Sequence, residues 1–357
     1  MTPHVVHVAS GREWRGGERQ VWLLARELAH QNDLTQMVVT ARGGELADRV
    51  RAAGLPVCEV PWTAGVDPRA LPVLVREARR PGALLHAHDA HAVTLAGITA
   101  RLTSRPYVAT RRVDFPLRRP GFWAGAHRVI AISQAVARML AADGIDPARI
   151  MVVHSGIALD DIRRTPRLGV RQRLGLDPDV RIAANVAALV GHKDQATLLR
   201  TAARLVGRFP DLHWVIAGEG PERGALERLR DELALRERVH FLGHLPEPAS
   251  LVADADVFVM SSRDEGLGTS VLDAMALGIP VASTTAGGLP EMLEGGAGVL
   301  AQPGRPDELA AAVAQLVADP AFARETAARA TRAVERFTAA RMAEAVRGVY
   351  RSSGPFL

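Results

Sequence analysis

Cysteine is almost absent from this 357-residue chain: Cys58 stands alone. It cannot close an internal disulfide, and no Cys/His grouping has zinc-ligand spacing, so neither a secreted, disulfide-stapled fold nor a structural zinc site is expected. A cytoplasmic setting is the expectation. No apolar run approaches the roughly 18 residues of a membrane span, and the opening MTPHVVHVAS lacks a signal-peptide layout, reading instead as a buried first strand. Aromatics are only 4% and do not interleave with basic residues at recognition spacing, so nucleic acid is not an expected partner. Lysine is the most telling scarcity. Of 44 basic residues Lys193 is the only lysine, in AALVGHKDQATLL. Where Arg has replaced Lys everywhere else, a surviving ammonium marks a place for a compact point charge. An ordinary surface lysine is the competing reading.

What is present is globular. The chain is 48% hydrophobic and 23% charged, long enough for two domains, and its net charge of +5 is uneven. Residues 1–165 hold 22 arginines against 15 acids, whereas the remainder holds 22 basic residues against 24 acids. A basic first half suits an anionic ligand or membrane surface. Short β-branched runs alternate with helical patterns, the mark of parallel α/β architecture. Strands are expected near residues 4–9, 37–40, 57–61, 83–86, 107–110, 129–132 and 151–154. After an Arg-rich segment, DDIRRTPRLGVRQRLG, which reads as a linker, they resume near 182–187, 214–217, 240–242, 257–260, 281–283 and 298–300. The expected division is 1–163 as a first Rossmann-like domain, 164–336 as a second, and 337–357 as a helix returning to the first. Two such domains would face one another across a cleft that takes the ligands.

Several segments carry chemistry. SGREWRGGERQ places Gly16 and Gly17 at the start of a helix with Val21, Leu24, Ala25 and Leu28 on one stripe, where exposed N–H groups and the helix dipole favour phosphate. Neither GxGxxG nor GxxxxGK[ST] is matched, and a ligand-free tight turn is the alternative. VFVMSSRDEGLGTSVLDAMALGIPV reads as a buried strand, a glycine-rich loop and a short helix. There Glu265 and Asp273 could accept hydrogen bonds from sugar hydroxyls beside the N–H groups of Leu267, Gly268 and Thr269. Ser270-x-x-Asp273 also fits a capping box. AGGLPE supplies Gly287, Gly288 and Glu291, read first as a turn.

HAHDAH gathers His86, His88, Asp89 and His91 at a strand end. With no third ligand in a recognised spacing, it reads as a cleft-lining cluster rather than a metal site. TRRVDFPLRRPGFW sets Arg111, Arg112, Arg118 and Arg119 among Phe115, Phe122 and Trp123. It suits an anionic membrane or acidic acceptor, unless the Arg stems simply cover local apolar surface.

Together these residues resemble the retaining glycosyltransferase family 4. RGGERQ is similar to its glycine loop, ISQAV and VHSGI to the end of its first domain, LVGHKD to its Lys-bearing loop, and EGLGTSVLDAMALGIPV to its two-acid segment. The resemblance implies the GT-B fold, with 1–163 as the acceptor-side domain and 164–336 as the donor domain, and transfer of a sugar from a nucleotide-diphosphate sugar, a UDP-sugar in the first instance, to a glycan or lipid-linked acceptor. It implies Lys193, Glu265 and Arg112 as catalytic residues, and Gly16, Gly17, Lys193, Glu265, Leu267, Gly268, Thr269 and Asp273 on the donor. His88, Asp89, Arg111, Arg118 and Arg119 are the acceptor candidates. The sequence departs from the family at three places: Asp273 stands where the pattern has Glu, Ala188 where it has Arg, and Arg112 where a His is usual.

Breaking a glycosyl–phosphate bond leaves negative charge on the departing diphosphate, which an ammonium and helix N-termini can stabilise in a dry site. Asp254 and Asp256 precede a buried strand and read as structural, so the expectation is no metal and no cofactor. Retention follows from the resemblance alone. The expected setting is lipopolysaccharide or other cell-envelope polysaccharide synthesis, with peripheral contact at an anionic membrane. An NAD(P) oxidoreductase would need the dinucleotide fingerprint and an acid after the second strand, where Thr40-Ala41-Arg42 stands. A non-catalytic sugar-nucleotide or carbohydrate binder and an inverting GT-B enzyme stay open.

Overall fold

A computed structural model describes residues 2–31, 33–63 and 65–353. The chain forms two compact units, Met1–Gly156 with Thr338–Leu357, and Ile157–Phe337. The first is built on β1 (His4–Ala9), β2 (Thr35–Ala41), β3 (Val57–Val60), β4 (Ala83–Ala87), β5 (Tyr107–Arg111), β6 (Arg128–Ala131) and β7 (Ile150–Val152). They lie parallel in the order β3-β2-β1-β4-β5-β6-β7. β1 and β4 are buried at every position, as strands covered by helices on both faces must be. The helix Gly16–Ala29 buries Val21, Leu24, Ala25 and Leu28, the stripe its sequence spells out.

The second unit repeats the plan with β8 (Arg181–Val186), β9 (Leu212–Ala217), β10 (Val239–Gly243), β11 (Val257–Val259), β12 (Val281–Thr284) and β13 (Val299–Ala301). Their order is β10-β9-β8-β11-β12-β13, again all parallel. In each sheet the order reverses between two central strands, β1/β4 and β8/β11. Open α/β sheets place ligands beyond the carboxyl ends of strands at such a switch point.

The expected boundary at 163 falls at Gly156 instead. The supposed linker is part of the second unit because its apolar residues anchor it there. Leu159, Ile162 and Val170 are buried, the Leu168 N–H donates to Ser250 O, and Arg171 pairs with Asp256 at 2.6 Å. Gly156 is dictated by close approach. Its N–H and C=O are both bonded by the Gln20 amide at 3.0 and 2.8 Å, and a Cβ there would lie 2.6 Å from Thr338 O. The final helix, Ala339–Arg351, packs on Gly16–Ala29 and buries Tyr350 completely. Residues 354–357 of the expected closing segment lie outside the described residues. Among the described residues no helix is long and apolar enough to cross a membrane.

Candidate functional site

In the second unit, the loops after β8 and β11 meet at the switch point. After β8 the chain enters a single 3-10 turn, Gly191–Lys193, followed by Asp194 in the left-handed region at φ 48°. That strained residue caps the helix Gln195–Leu205: its carboxylate accepts from Thr197 N at 3.2 Å and Thr197 Oγ1 at 2.7 Å. The loop after β11 is stitched to this turn. Arg263 N donates to His192 O at 2.8 Å, Ser261 Oγ to Lys193 O at 3.0 Å, and Arg263 Nε to Asp194 at 2.6 Å.

The stitching sets the sole lysine against the loop acid: Lys193 Nζ donates to Glu265 Oε2, with side chains 17% and 9% exposed. Ser262 Oγ donates to the same carboxylate oxygen at 3.3 Å. Gly288 N donates to Glu265 O at 3.0 Å, so the AGGLPE loop supports the acid from behind. Asp194, Ser262 and Arg263 were missed in the sequence; adjacency to Lys193 and Glu265 was the only signal they carried.

The helix Thr269–Ala276 begins from Gly268 at φ 88°, a conformation a side chain would strain. A Cβ there would also meet Leu289 Cδ2 at 2.8 Å and Glu265 Cγ at 3.3 Å. Because Gly268 is the N-cap and no side chain caps it, the Ser270-x-x-Asp273 pattern is not a capping box. Asp273 is instead buried one turn further along, and Leu267 is buried beneath the loop. Asp254 and Asp256 are structural, accepting the N–H groups of Val170 at 2.8 Å and Ile182 at 2.7 Å.

In the first unit, polar groups gather at the β1/β4 switch point. Asp89 caps the helix Ala90–Thr103, accepting from Ala92 N at 2.9 Å and from Ser10 N and Oγ at 2.6 and 2.7 Å. Gly16 and Gly17 start the helix Gly16–Ala29, and a Cβ at Gly17 would lie 3.9 Å from Arg112 Cδ. Arg112 Nη2 donates to His88 Nδ1 at 3.1 Å. Burial lowers the Arg112 pKa to about 10, against the fields of Glu18 and Asp89. Glu18, also missed in the sequence, is pushed up by burial.

The HAHDAH reading needs correction on two counts. His86 and His88 do not line an open site; they are buried, and a third imidazole does join them, His7, which register sets opposite His86 on β1. One ring nitrogen from each lies within 4.8 Å of the others. Sequence spacing could not show this, because the contact is across strands. Burial lowers the His7 pKa to about 4 and holds those of His86 and His88 well below the usual value, so all three are neutral. Arg111 holds its own loop, donating to Phe115 O beside the Trp123 ring, whereas Arg118 and Arg119 are exposed.

Two Rossmann-type sheets in tandem, each gathering polar side chains at its switch point, define a GT-B glycosyltransferase fold. Solved structures agree. Anabaena Alr3699/HepE in complex with UDP superposes with a TM-score of 0.84 at 21% identity, covering 98% of this chain and 99% of that one. The lipopolysaccharide outer core galactosyltransferase WaaB gives 0.73 at 16% identity, covering 98% and 99%. Residues 14–161 match the family described as Glycosyltransferase Family 4, and residues 169–335 the one described as Glycosyl transferases group 1.

The chain belongs to the family 4-like glycosyltransferases. Among curated proteins it is similar to the D-inositol 3-phosphate glycosyltransferase of Thermobispora bispora, 34% identical over 214 residues, 56% of this chain and 50% of that protein. The protein of the same name from Mycolicibacterium paratuberculosis is 37% identical over 217 residues, 58% and 48%. The matched region spans about half the length of these curated relatives.

Proposed function

We propose that the protein transfers a sugar from a nucleotide-diphosphate sugar, with UDP as the nucleotide, to a hydroxyl of a glycan or lipid-linked acceptor. The reading rests on one observation: the only lysine is fixed by two stitched loops at the second sheet's switch point, against a buried carboxylate. In this reading donor binding draws Lys193 onto the diphosphate, where its charge stabilises the leaving group. Glu265, relieved of its partner, accepts hydrogen bonds from the sugar, the backbone of Leu267, Gly268 and Thr269 cradles phosphate, and Asp273 holds the ribose.

Ala188 offers no second cation in the loop. Its carbonyl accepts from Gln195 Nε2 at 3.1 Å, which keeps the turn in place without adding charge. Transfer runs without metal in this proposal, because the Lys193 ammonium supplies the positive charge at the diphosphate and the carboxylates of Asp254 and Asp256 are tied to backbone N–H groups. It proceeds with retention, the departing phosphate taking the acceptor proton. Arg112, with His88 and Asp89 near it, serves the reacting or acceptor side. Exposed Arg118 and Arg119 attract an anionic, membrane-borne acceptor in cell-envelope synthesis. A second acceptor reading, a phosphorylated cyclitol, is favoured by the names of the similar curated proteins.

The test is a thermal-shift panel of UDP-, GDP-, ADP- and TDP-sugars on wild type and Lys193→Ala. UDP-sugars should raise the wild-type midpoint and leave the variant unmoved; an equal response from both removes the donor assignment. The product anomer, turnover in EDTA, and liposome co-sedimentation of Arg118→Glu/Arg119→Glu decide retention, metal independence and membrane contact.

A further inference from the structure

Behind Arg112 lies a column of buried imidazoles whose protons are fixed by chemistry. A guanidinium only donates, so His88 Nδ1, 3.1 Å from Arg112 Nη2, must present its lone pair. The His88 proton is therefore on Nε2, and it points at His7 Nδ1 3.0 Å away. His7 Nδ1 accepts in turn, which leaves the His7 proton on Nε2. Gln36 adjoins that ring and favours its proton, although among the described residues neither His7 Nε2 nor Gln36 Oε1 has a partner at hydrogen-bonding distance. The third ring, His86, lies 4.0 Å from His88 between centroids and is held at both nitrogens, by Tyr350 Oη at 2.6 Å and Thr110 Oγ1 at 2.7 Å.

Three imidazoles this close suggest a metal site, but each neutral ring has one lone pair, and hydrogen bonds engage all three. The His88 lone pair takes the guanidinium, that of His7 takes His88, and that of His86 takes a hydroxyl. A cation would have to displace all three bonds beside a permanent positive charge. Among the described residues Arg112, for its part, has no carboxylate within 4.0 Å, and its buried Nε has no partner. Among the described residues neutral His88 is its only hydrogen-bond acceptor.

We propose that His88, braced by His7, is a positioning residue that orients the Arg112 guanidinium at the carboxyl end of the first sheet, through one directed chain from Arg112 to His88 to His7. The functional half rests on the reading of Arg112 given above; the chain itself does not. Long-range 1H–15N NMR on the full-length protein reads the tautomers directly: both His88 and His7 should carry their proton on Nε2. A proton on His88 Nδ1, or stoichiometric Zn2+ uptake that His7→Gln abolishes, overturns the chain.

Turnover of a UDP-sugar reads the function. His88→Ala should lower kcat about 10- to 100-fold, the worth of one hydrogen bond to a charged group. His88→Asn, whose Oδ1 replaces Nδ1, should keep most of the rate and guards against mere misfolding. In an Arg112→Gln background His88→Ala should cost nothing more; an undiminished cost there overturns the positioning role. If the tautomers are as stated but Arg112→Gln turns over normally, the reading of Arg112 fails and the positioning role with it.

Discussion

Lys193 and Glu265 form a structural ion pair, and by the proposal they also form the donor site; one substitution series separates the two roles. Lys193→Met keeps most of the length of the side chain and removes the charge, leaving a 9% exposed carboxylate that accepts a hydrogen bond from Ser262 Oγ. Breaking a fully buried pair costs about 3–5 kcal/mol, and the 17% exposure of the Lys193 side chain reduces this to about 2 kcal/mol. For a domain of this size that is a fall of about 4–8 °C in Tm. Adding Glu265→Gln removes the carboxylate charge that Lys193 had offset, so the double variant should recover to within about 1 kcal/mol of wild type. Nucleotide response should not recover. UDP at about 100 times Kd stabilises a binding-competent protein by about 2.7 kcal/mol, and the double variant should show none of it. Its kcat should lie about 10²- to 10³-fold below wild type, as for loss of a charge-stabilising group. Differential scanning calorimetry with and without UDP reads both effects. A double variant that regains the UDP shift along with its stability would refute the donor role of Lys193; a single variant as stable as wild type would refute the pair.

Other consequences can be checked as directly. The pKa of His7 falls from 6.5 to about 4 on folding, so below pH 6.5 the unfolded chain takes up a proton that the native state refuses. Stability should fall as pH drops from 6.5 towards 4, by about 3 kcal/mol from His7 alone, with His86 and His88 adding in the same direction. Urea titrations across that window test this; a flat profile contradicts the neutral column. Gly156→Ala should cost about 1–3 kcal/mol, because its Cβ meets backbone at 2.6 Å, and chemical denaturation giving wild-type stability would contradict the close approach. Gly268→Ala, strained at φ 88° and crowded by Leu289, should weaken the UDP thermal shift, and an undiminished shift would show that the loop tolerates a side chain there.

Much of the molecule was legible in one dimension because parallel sheets need strands buried on both faces, and the runs of Val, Ile, Leu and Ala that supply them sit between helical stripes. Among the described residues all thirteen strands fall where the sequence puts them, and Lys193 stands out by composition alone. Local sequence was a poorer guide where distant contacts decide. The Arg-rich stretch after residue 159 has a linker's composition, yet Leu159, Ile162 and Val170 bury it in the second unit. Ser270-x-x-Asp273 has a cap's spacing, yet the helix starts from Gly268.

The pairing of Lys193 with Glu265, 72 positions later, and the meeting of His7 with His88, 81 positions later, belong to the tertiary structure. Composition and periodicity determine which segments become strands and helices, since burial and backbone geometry act over a few residues. Which side chains share a hydrogen bond depends on strand order and register, and these are fixed only when the sheet assembles.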